Sequence, residues 1–267
     1  MTQTIDTNAG RPSPRAEVPT NELRRASLIV WLATKPRAWL AGHRRRALAR
    51  RWLRGDGIEI GALHNPFPLP ARARVRYVDL MSPTENASRH PELASRKLVS
   101  VDILDDGETL NSIPEDSLDF VIGSHFLEHT QNPIGTIRNH ASKLRTGGVL
   151  LYALPDKRHT FDRMRALTSF DHLVRDDRDG PECSRWDHYR DFAEHVDGFE
   201  GDGIDDQARR LQDDDNRIHF HVFDTETART FFERTTELLE GEGTNTRLRL
   251  VEFRPNGAEC LAILRRV

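Results

Sequence analysis

The sequence predicts an α/β domain built around a doubly wound, mostly parallel β-sheet. Short apolar runs recur along the chain and are separated by helix-length segments, which is the pattern of parallel strands joined by crossover helices. Several runs end in an acidic residue or a glycine, as strands do where they face a ligand. With 267 residues and a hydrophobic content of 37%, the chain can bury one substantial core, so we expect one main domain.

The first 54 residues precede the predicted sheet. Residues 1–20 are rich in Thr, Pro and Ser and lack the apolar core of a signal peptide, so we expect a disordered leader. Residues 21–54 carry ten Lys and Arg residues against one acid and group their apolar residues at helical spacing around a break at Pro36. We interpret them as a helical cap over the ligand cleft. A membrane, a nucleic acid or a second copy are alternative partners, and no aromatic-interleaved RNA-binding motif favours nucleic acid.

The first strand leads into the stretch Gly57–Pro66, which reads Gly-Ile-Glu-Ile-Gly-Ala-Leu-His-Asn-Pro. Glu59 lies between two apolar residues, and a carboxylate in a buried strand needs a partner. Gly61 then stands where the backbone must come close to a ligand, and the small Ala62 permits the same approach. Prolines at alternating positions from Pro66 forbid a regular helix immediately afterwards.

Four more strands are predicted downstream. They are Val75–Val78, Leu98–Val101, Ser117–Gly123 and Val149–Leu154. The first two end in Asp79 and Asp102, and the third gives way to Ser124 and His125. Because the carboxyl ends of parallel strands meet at one edge of a sheet, we expect these side chains to lie together with Glu59.

Two helices are predicted from their capping signals, over Pro133–Arg145 and Thr225–Leu239. Asn132 is a favourable N-cap for the first, and Gly147 with Gly148 is a favourable stop. Asp224 or Thr225 is the expected N-cap of the second.

The segment between Asp156 and Asn216 contains no strand-like run, and it is too long for a structureless connection. Its aromatic and apolar residues are spaced as in helices, so we expect a helical insertion at about 157–216. Since it follows the fifth strand, we interpret it as a substrate lid, with a structural or dimerising insertion as the alternative. An extended stretch at Arg217–Phe223 is expected next.

Several local patterns occur together in residues 57–156. They are Glu-Ile-Gly in the first strand, acids ending the second and third strands, Asp-Phe-Val-Ile-Gly-Ser-His-Phe-Leu-Glu-His with Asn-Pro three residues on, and Leu-Arg-Thr-Gly-Gly-Val-Leu. This combination resembles the class I S-adenosylmethionine (SAM)-dependent methyltransferase family. Leu248–Phe253 and Glu259–Leu264 similarly resemble its terminal antiparallel hairpin, around Pro255-Asn256-Gly257.

The resemblance implies a three-layer Rossmann-like fold with a mostly parallel seven-stranded sheet, and a SAM-binding catalytic domain at 55–267. One departure is that the usual glycine-rich turn after the first strand keeps a single glycine, Gly61. The loop must therefore take a different shape around the methionine portion of the cofactor.

SAM is the cofactor that the resemblance implies. The expected cofactor-binding residues are Glu59, Gly61, Ala62, Asp79, Leu80, Asp102, Ile103, Ser124 and His125. Asp79 would accept both ribose hydroxyls, Asp102 would hydrogen-bond adenine, and Glu59 would help to position the methionine end. Alternatively, Asp79 and Asp102 have only a structural role in the turns at the strand ends, where aspartate is a favoured residue.

Methyl transfer needs a base where the nucleophile has a proton to lose, and histidine has a suitable pKa. The expected catalytic candidates are His125, His172, His219 and His221. His219 and His221 alternate in the extended stretch, so we expect them to point to the same side. Such a pair with an acid could bind a divalent metal, but no third ligand is indicated and we predict no metal site.

The predicted function is methyl transfer from SAM to a small-molecule acceptor in secondary-metabolite or glycan metabolism. A hydroxyl acceptor is favoured, because histidines are plentiful and no Asn-Pro-Pro-aromatic motif is present, while nitrogen and electron-rich carbon stay open. The alternatives are a noncatalytic SAM-fold binding protein, a nucleic-acid methyltransferase, and a nicotinamide-dependent oxidoreductase, which should keep the pyrophosphate-binding glycines that this chain lacks.

Cys183 and Cys260 show no disulfide or metal spacing, which fits a reducing cytoplasm. The apolar runs are too short to span a bilayer. We therefore expect a cytoplasmic protein without a membrane span, with a small-molecule acceptor as its partner. A homodimer stays open.

Overall fold

The computed structural model describes residues 39–89, 93, 95–243 and 246–267. The chain divides into two compact units, Met1–Leu40 and Ala41–Val267. Only residues 39 and 40 of the first unit are described. The predicted leader and residues 21–38 of the predicted cap therefore lie outside the described residues.

The second unit is a three-layer α/β domain. Its strands are β1 (Gly55–Ile60), β2 (Ala73–Asp79), β3 (Ile103–Leu104), β4 (Leu118–Ser124), β5 (Leu144–Pro155), β6 (Leu248–Pro255) and β7 (Glu259–Arg266). Within the described residues they form a seven-stranded sheet in the order β3-β2-β1-β4-β5-β7-β6. The pairs from β3 to β5 are parallel, whereas β7 is antiparallel to β5 and β6. The predicted fold class, including its terminal hairpin, is confirmed.

Helices cover both faces of the sheet. They are α1 (39–52), α2 (Pro83–Arg89), α3 (Pro133–Lys143), α4 (Phe170–Asp179), α5 (Glu182–His195), α6 (Asp202–Asp213) and α7 (Thr225–Gly241). Ile137 of α3 and Phe232 of α7 belong to the core on one face, and Leu48 of α1 belongs to the core on the other. Asn132 and Asp224 cap α3 and α7 through their side chains, as predicted.

The third predicted strand is wrong in position. Leu98–Val101 is irregular, and pairing with β2 begins only at Ile103. The reason is local, because the Asp102 carboxylate accepts the Tyr77 N–H at 2.8 Å and so takes a place in the ladder that a backbone carbonyl would fill.

The boundary between α3 and β5 also differs from the prediction. Helix α3 ends at Lys143, and β5 starts at the next residue, so Gly147 and Gly148 lie within a strand. Gly147 takes a φ of 85° at this irregular strand start, a conformation that glycine adopts without strain. The predicted extended stretch Arg217–Phe223 is irregular backbone and pairs with no described strand.

The segment between β5 and α7 consists of two 3₁₀ turns followed by α4, α5 and α6. Tyr189 of α5 and Leu211 of α6 share a small core with Phe220, separate from the cores of the sheet. The segment is therefore a packed helical subassembly. Its action as a lid stays a prediction.

Candidate active site

A cavity opens at the carboxyl edge of the sheet, beyond β1, β2, β3 and β4. The lining residues that follow β1, β2 and β4 directly are Gly61, Leu63, Leu80, His125 and Phe126, together with Asp79 at the end of β2. Further lining residues are Asp106, Gly107, Glu108, His129 and Arg217. Doubly wound sheets bind their ligands at this position. The cavity is therefore the candidate active site.

The buried side chain of Glu59 holds the loop after β1 in place through a hydrogen bond. Both of its carboxylate oxygens accept the N–H of Phe67, at 2.8 and 3.1 Å, and the side chain is fully buried. Burial raises the pKa of Glu59 to about 7, although this hydrogen bond and the charge of Arg45 oppose the shift. Glu59 does not line the cavity. The hydrogen bond to Phe67 holds the loop after β1, and the predicted contact of Glu59 with the cofactor stays a prediction.

Gly61 and Asp79 fit a cofactor that carries a diol. Gly61 has a φ of 63°, and an added Cβ would meet nothing within 4 Å, so the backbone here is open to a ligand. Oδ1 of Asp79 accepts the Met81 N–H at 3.1 Å, and among the described residues no hydrogen bond reaches Oδ2. Leu80 is 52% exposed and adds an apolar surface beside this oxygen. The residues present suit the ribose and methionine portions of SAM.

Four predicted cofactor contacts do not line the cavity, namely Ala62, Asp102, Ile103 and Ser124. Asp102 is exposed and its carboxylate caps the Tyr77 N–H. Ser124 accepts a hydrogen bond from Arg45 at 3.3 Å. The structure therefore does not bring these four residues to the cavity lining, and their predicted cofactor contacts stay a prediction.

Beyond β3 the acid on the cavity wall is Asp106 instead of Asp102. Its Oδ1 accepts the N–H of Glu108 at 2.7 Å. Between them, a Cβ on Gly107 would lie 2.6 Å from Ile60, so the cavity wall has no room for a side chain there. The signal in the sequence was the turn-forming Asp-Asp-Gly after Ile-Leu, which marks the true end of the third strand.

His125 lines the cavity as a cation. Its Nε2 lies 2.9 Å from Glu259 Oε2, and its Nδ1 lies 3.5 Å from Glu128 Oε1. Burial by itself would lower the pKa of His125, but the two carboxylates outweigh it and raise the pKa to about 9. The imidazole is therefore protonated at neutral pH. In this state the ring has no lone pair to accept a proton, so His125 stands on the cavity wall as a charged group, and its predicted catalytic role stays a prediction.

His129 is the neutral histidine of the cavity wall. Its Nδ1 donates to the carbonyls of Arg217 and Ile218, at 2.9 and 3.0 Å, so the lone pair lies on Nε2. Among the described residues no hydrogen bond reaches Nε2. Burial lowers the pKa of His129 despite the nearby charge of Glu128. The catalytic candidates omitted His129, since the carbonyls that orient it come from residues 88 and 89 positions later.

His219 lies behind His129 and does not itself line the cavity. The two rings meet edge to face with centroids 4.6 Å apart, and Nδ1 of His219 lies 2.6 Å from Asp162 Oδ2. Glu128 is fully buried beside them, and its carboxylate oxygens have no hydrogen-bond partner among the described residues. Donor atoms of Glu128, His129 and His219 lie within 4.8 Å of one another, so this group can hold a proton or a cation.

His172 and His221 lie away from the cavity lining, in a second cluster with Asp176 and His188. His219 and His221 therefore belong to different clusters. Their predicted common direction stays a prediction, and the structure does not place His172 or His221 on the cavity wall.

The fold and the cavity define a Rossmann-like α/β domain with a ligand cavity at the carboxyl edge of its sheet. A family model described as "Methyltransferase domain" matches residues 33–235, about three quarters of the chain. The chain belongs to this methyltransferase family, and it is a SAM-dependent methyltransferase. The search of curated proteins found no significant match.

Solved structures similar to the chain include proteins of three bacteria. One is a SAM-dependent methyltransferase of Thermotoga maritima, described as a possible histamine N-methyltransferase, with 15% identity, coverage of 92% of this chain and 95% of that chain, and a TM-score of 0.46. The second, a SAM-dependent methyltransferase of Aquifex aeolicus, has 10% identity, coverages of 83% and 87%, and a TM-score of 0.43. The third, from Rhodobacter sphaeroides, is described as a Zn-dependent alcohol dehydrogenase, with 15% identity, coverages of 84% and 90%, and a TM-score of 0.46. Because these scores are low, the family assignment rests on the family model.

No described helix combines the length and the apolar character that crossing a membrane requires.

Proposed function

We propose that the protein methylates a hydroxyl group of a small-molecule acceptor, with His129 as the general base. The observation that supports this is the state of His129, a neutral imidazole on the cavity wall with Nδ1 anchored by two carbonyls. A hydroxyl has a proton to lose as it is methylated, and a fixed neutral imidazole is suited to accept it.

Bound SAM supplies a methyl group on a sulfonium sulfur. Asp79 would accept hydrogen bonds from the ribose hydroxyls through its free oxygen, and the Gly61 backbone would pass beside the methionine portion. Asp106 and Leu80 would border the adenine. These assignments rest on the lining of the cavity and on the open space at Gly61.

His129 would take the acceptor's proton at Nε2. The resulting imidazolium would be stabilised by Glu128, a buried carboxylate whose pKa is lowered because neighbouring histidines outweigh its burial. Protonated His125 would present its positive charge to an anionic group of a ligand, while its two N–H groups stay with Glu128 and Glu259. Arg217, which follows the helical insertion, pairs with Glu108 at 3.1 Å on the opposite wall.

We extend this proposal to the segment at 157–216, which would act as a lid over the acceptor. The support is its position directly before Arg217, a residue of the cavity wall. The acceptor would belong to secondary-metabolite or glycan metabolism, as the shortened loop after β1 suggests by resemblance.

The test is a screen of S-adenosylhomocysteine formation over hydroxylated and amino small molecules. With a hydroxylated acceptor in hand, His129→Gln should lower kcat by roughly 100-fold, the usual worth of a general base, while the Kd for SAM stays unchanged. His195→Gln, a change at a partly exposed histidine of α5, is the matched control and should keep wild-type kcat.

The pH profile gives a second readout. Because the pKa of His129 is lowered, kcat should be level at neutral pH and fall only below the ordinary histidine range, and the fall should disappear in His129→Gln. Methyl transfer that goes only to nitrogen or carbon, or an undiminished kcat in this variant, contradicts the proposal.

A further inference from the structure

We propose that His172, Asp176, His188 and His221 bind a structural zinc ion inside the helical insertion. Three imidazoles and one carboxylate are a common ligand set for Zn²⁺, and four protein ligands without an open position are typical of structural sites. Donor atoms of the four side chains lie within 4.8 Å of one another. We name this group the insertion cluster.

The distances in the insertion cluster are close to those of a tetrahedral site. Nε2 of His172 lies 3.1 Å from Nε2 of His188 and 3.1 Å from Oδ2 of Asp176. Oδ2 of Asp176 lies 4.0 Å from Nε2 of His188. Ligand atoms at zinc bond lengths of about 2.0–2.1 Å stand about 3.3 Å apart in a tetrahedron. Small side-chain rotations would therefore bring these atoms around one ion.

His221 supplies the independent observation that a ligand belongs here. The side chain is 1% exposed, and its Nε2 donates to the Gln131 carbonyl at 3.3 Å. The lone pair therefore lies on Nδ1, which is buried and finds no hydrogen-bond partner among the described residues. Oδ2 of Asp176, which is also fully buried, has no partner of good geometry either. Buried polar atoms without partners are costly, and a cation between these two would satisfy both.

The chain prepares the insertion cluster through helix geometry and outer hydrogen bonds. His172 and Asp176 are four residues apart on α4 and so share one face of the helix. Ser184 donates to Oδ1 of Asp176 at 2.7 Å, which orients the other oxygen toward the histidines. Such outer partners of metal ligands fix their orientation.

Zinc binding would change the tautomer of His172 and its hydrogen bond with Arg175. Its guanidinium donates to Nδ1 of His172 at 2.9 Å, so without a metal the proton of His172 lies on Nε2. Zinc would replace that proton at Nε2, and the imidazole would carry its proton on Nδ1 instead. Arg175 is exposed, so its side chain is free to turn into solvent.

The ion would join α4, α5 and the segment before α7. His172 and His221 are 49 positions apart in the sequence, so one ion bound by both constrains a long stretch of the unfolded chain. The same segment carries Arg217 to the cavity wall. The site would therefore fix the position of the insertion next to the active site while taking no part in the chemistry.

The experiment uses the full chain, freed of any affinity tag and stripped with a chelator, then titrated with Zn²⁺ against a metal-binding dye. Wild type should take up one Zn²⁺ per chain and gain thermal stability on adding it. His188→Gln and His221→Gln should bind Zn²⁺ at least about tenfold more weakly and show no metal-dependent change in Tm. Circular dichroism and SAM binding by calorimetry establish that these variants are folded.

Two control variants test whether zinc binding depends on the insertion cluster and not on other histidines. His195→Gln changes a histidine on the same helix as His188, and His129→Gln removes a donor from the separate group of Glu128, His129 and His219. Both should bind one Zn²⁺ as wild type does. The proposal is overturned if wild type takes up no stoichiometric Zn²⁺, if His188→Gln and His221→Gln keep wild-type affinity, or if His129→Gln is the variant that loses the ion.

Discussion

Asp79 ends β2 and Asp102 directly precedes β3, and the two acids have different surroundings. Asp79 lines the cavity and keeps one carboxylate oxygen free of hydrogen bonds within the described chain. Asp102 points away from the cavity lining and caps the Tyr77 N–H. The same residue type therefore lies on the cavity wall in one place and binds a backbone N–H in the other.

Asp79→Ala should weaken SAM binding. A hydrogen bond to a charged group is worth about 1.5–3 kcal/mol, so the Kd measured by calorimetry should rise roughly 10- to 150-fold. Asp102→Ala is the matched control and should leave the Kd unchanged. Equal affinity of Asp79→Ala and wild type would remove Asp79 from the ribose-binding role.

His125 and His129 are one turn apart and have opposite proton affinities. Carboxylates on both sides hold a proton on His125, whereas burial and two carbonyl acceptors keep His129 neutral. Sequence spacing gave no means to distinguish them, since one of the carboxylates, Glu259, lies 134 positions away.

At the scale of elements, the start of α3 was predictable because capping is a local interaction. Oδ1 of Asn132 accepts the Gly135 N–H at 2.7 Å. Its Nδ2 also donates to Asp177 at 3.1 Å, which links α3 to α4. A Cβ on Gly135 would lie 2.5 Å from the Asn132 side chain. The capping side chain therefore fits only because residue 135 is a glycine.

Asn132→Ala should lower the free energy of unfolding by about 1–2 kcal/mol, because it removes the cap and the link to α4 together. Urea denaturation measures this change. Asn111→Ala, at an exposed loop position, should stay within about 0.5 kcal/mol of wild type. A loss of similar size in both variants would contradict the capping argument.

Elements whose ends depend on distant partners were predicted less well. The third strand was displaced because the Asp102 side chain enters the ladder with Tyr77. The stretch Arg217–Phe223 alternates like a strand but pairs with none that the structure describes, and its carbonyls orient His129 instead. Periodicity predicts which residues are buried, whereas the pairing partner decides whether they form a strand.

At the scale of the whole molecule, Glu59 couples stability to pH. Its pKa is about 7 in the folded protein against an ordinary value of 4.5. Between these values the folded state binds a proton that the unfolded chain has lost. The stability that this proton adds is complete below pH 4.5 and is lost as the pH rises through about 7.

The Gln side chain of the Glu59→Gln variant is neutral throughout this pH range. Comparing the variant with wild type therefore isolates the contribution of Glu59 titration to stability. As the pH rises from 4.5 to 7, the free energy of unfolding of the variant should increase relative to wild type by up to about 1.4 kcal/mol per pH unit. Urea denaturation at a series of pH values measures the difference. Parallel stability curves over this range would show that Glu59 does not titrate near 7.

The sequence by itself determined the fold class, the capped starts of α3 and α7, and most of the strands, including β2 with Asp79 at its end. These features follow from interactions between residues close in the chain, such as side-chain caps, turn chemistry and the period of apolar residues. Only the tertiary structure decided which histidine is neutral, which acid beyond β3 faces the cavity, and that His172, Asp176, His188 and His221 converge. Proton affinity and metal-ligand geometry depend on burial and on distances across the fold. Burial and these distances cannot be predicted from the spacing of residues along the chain.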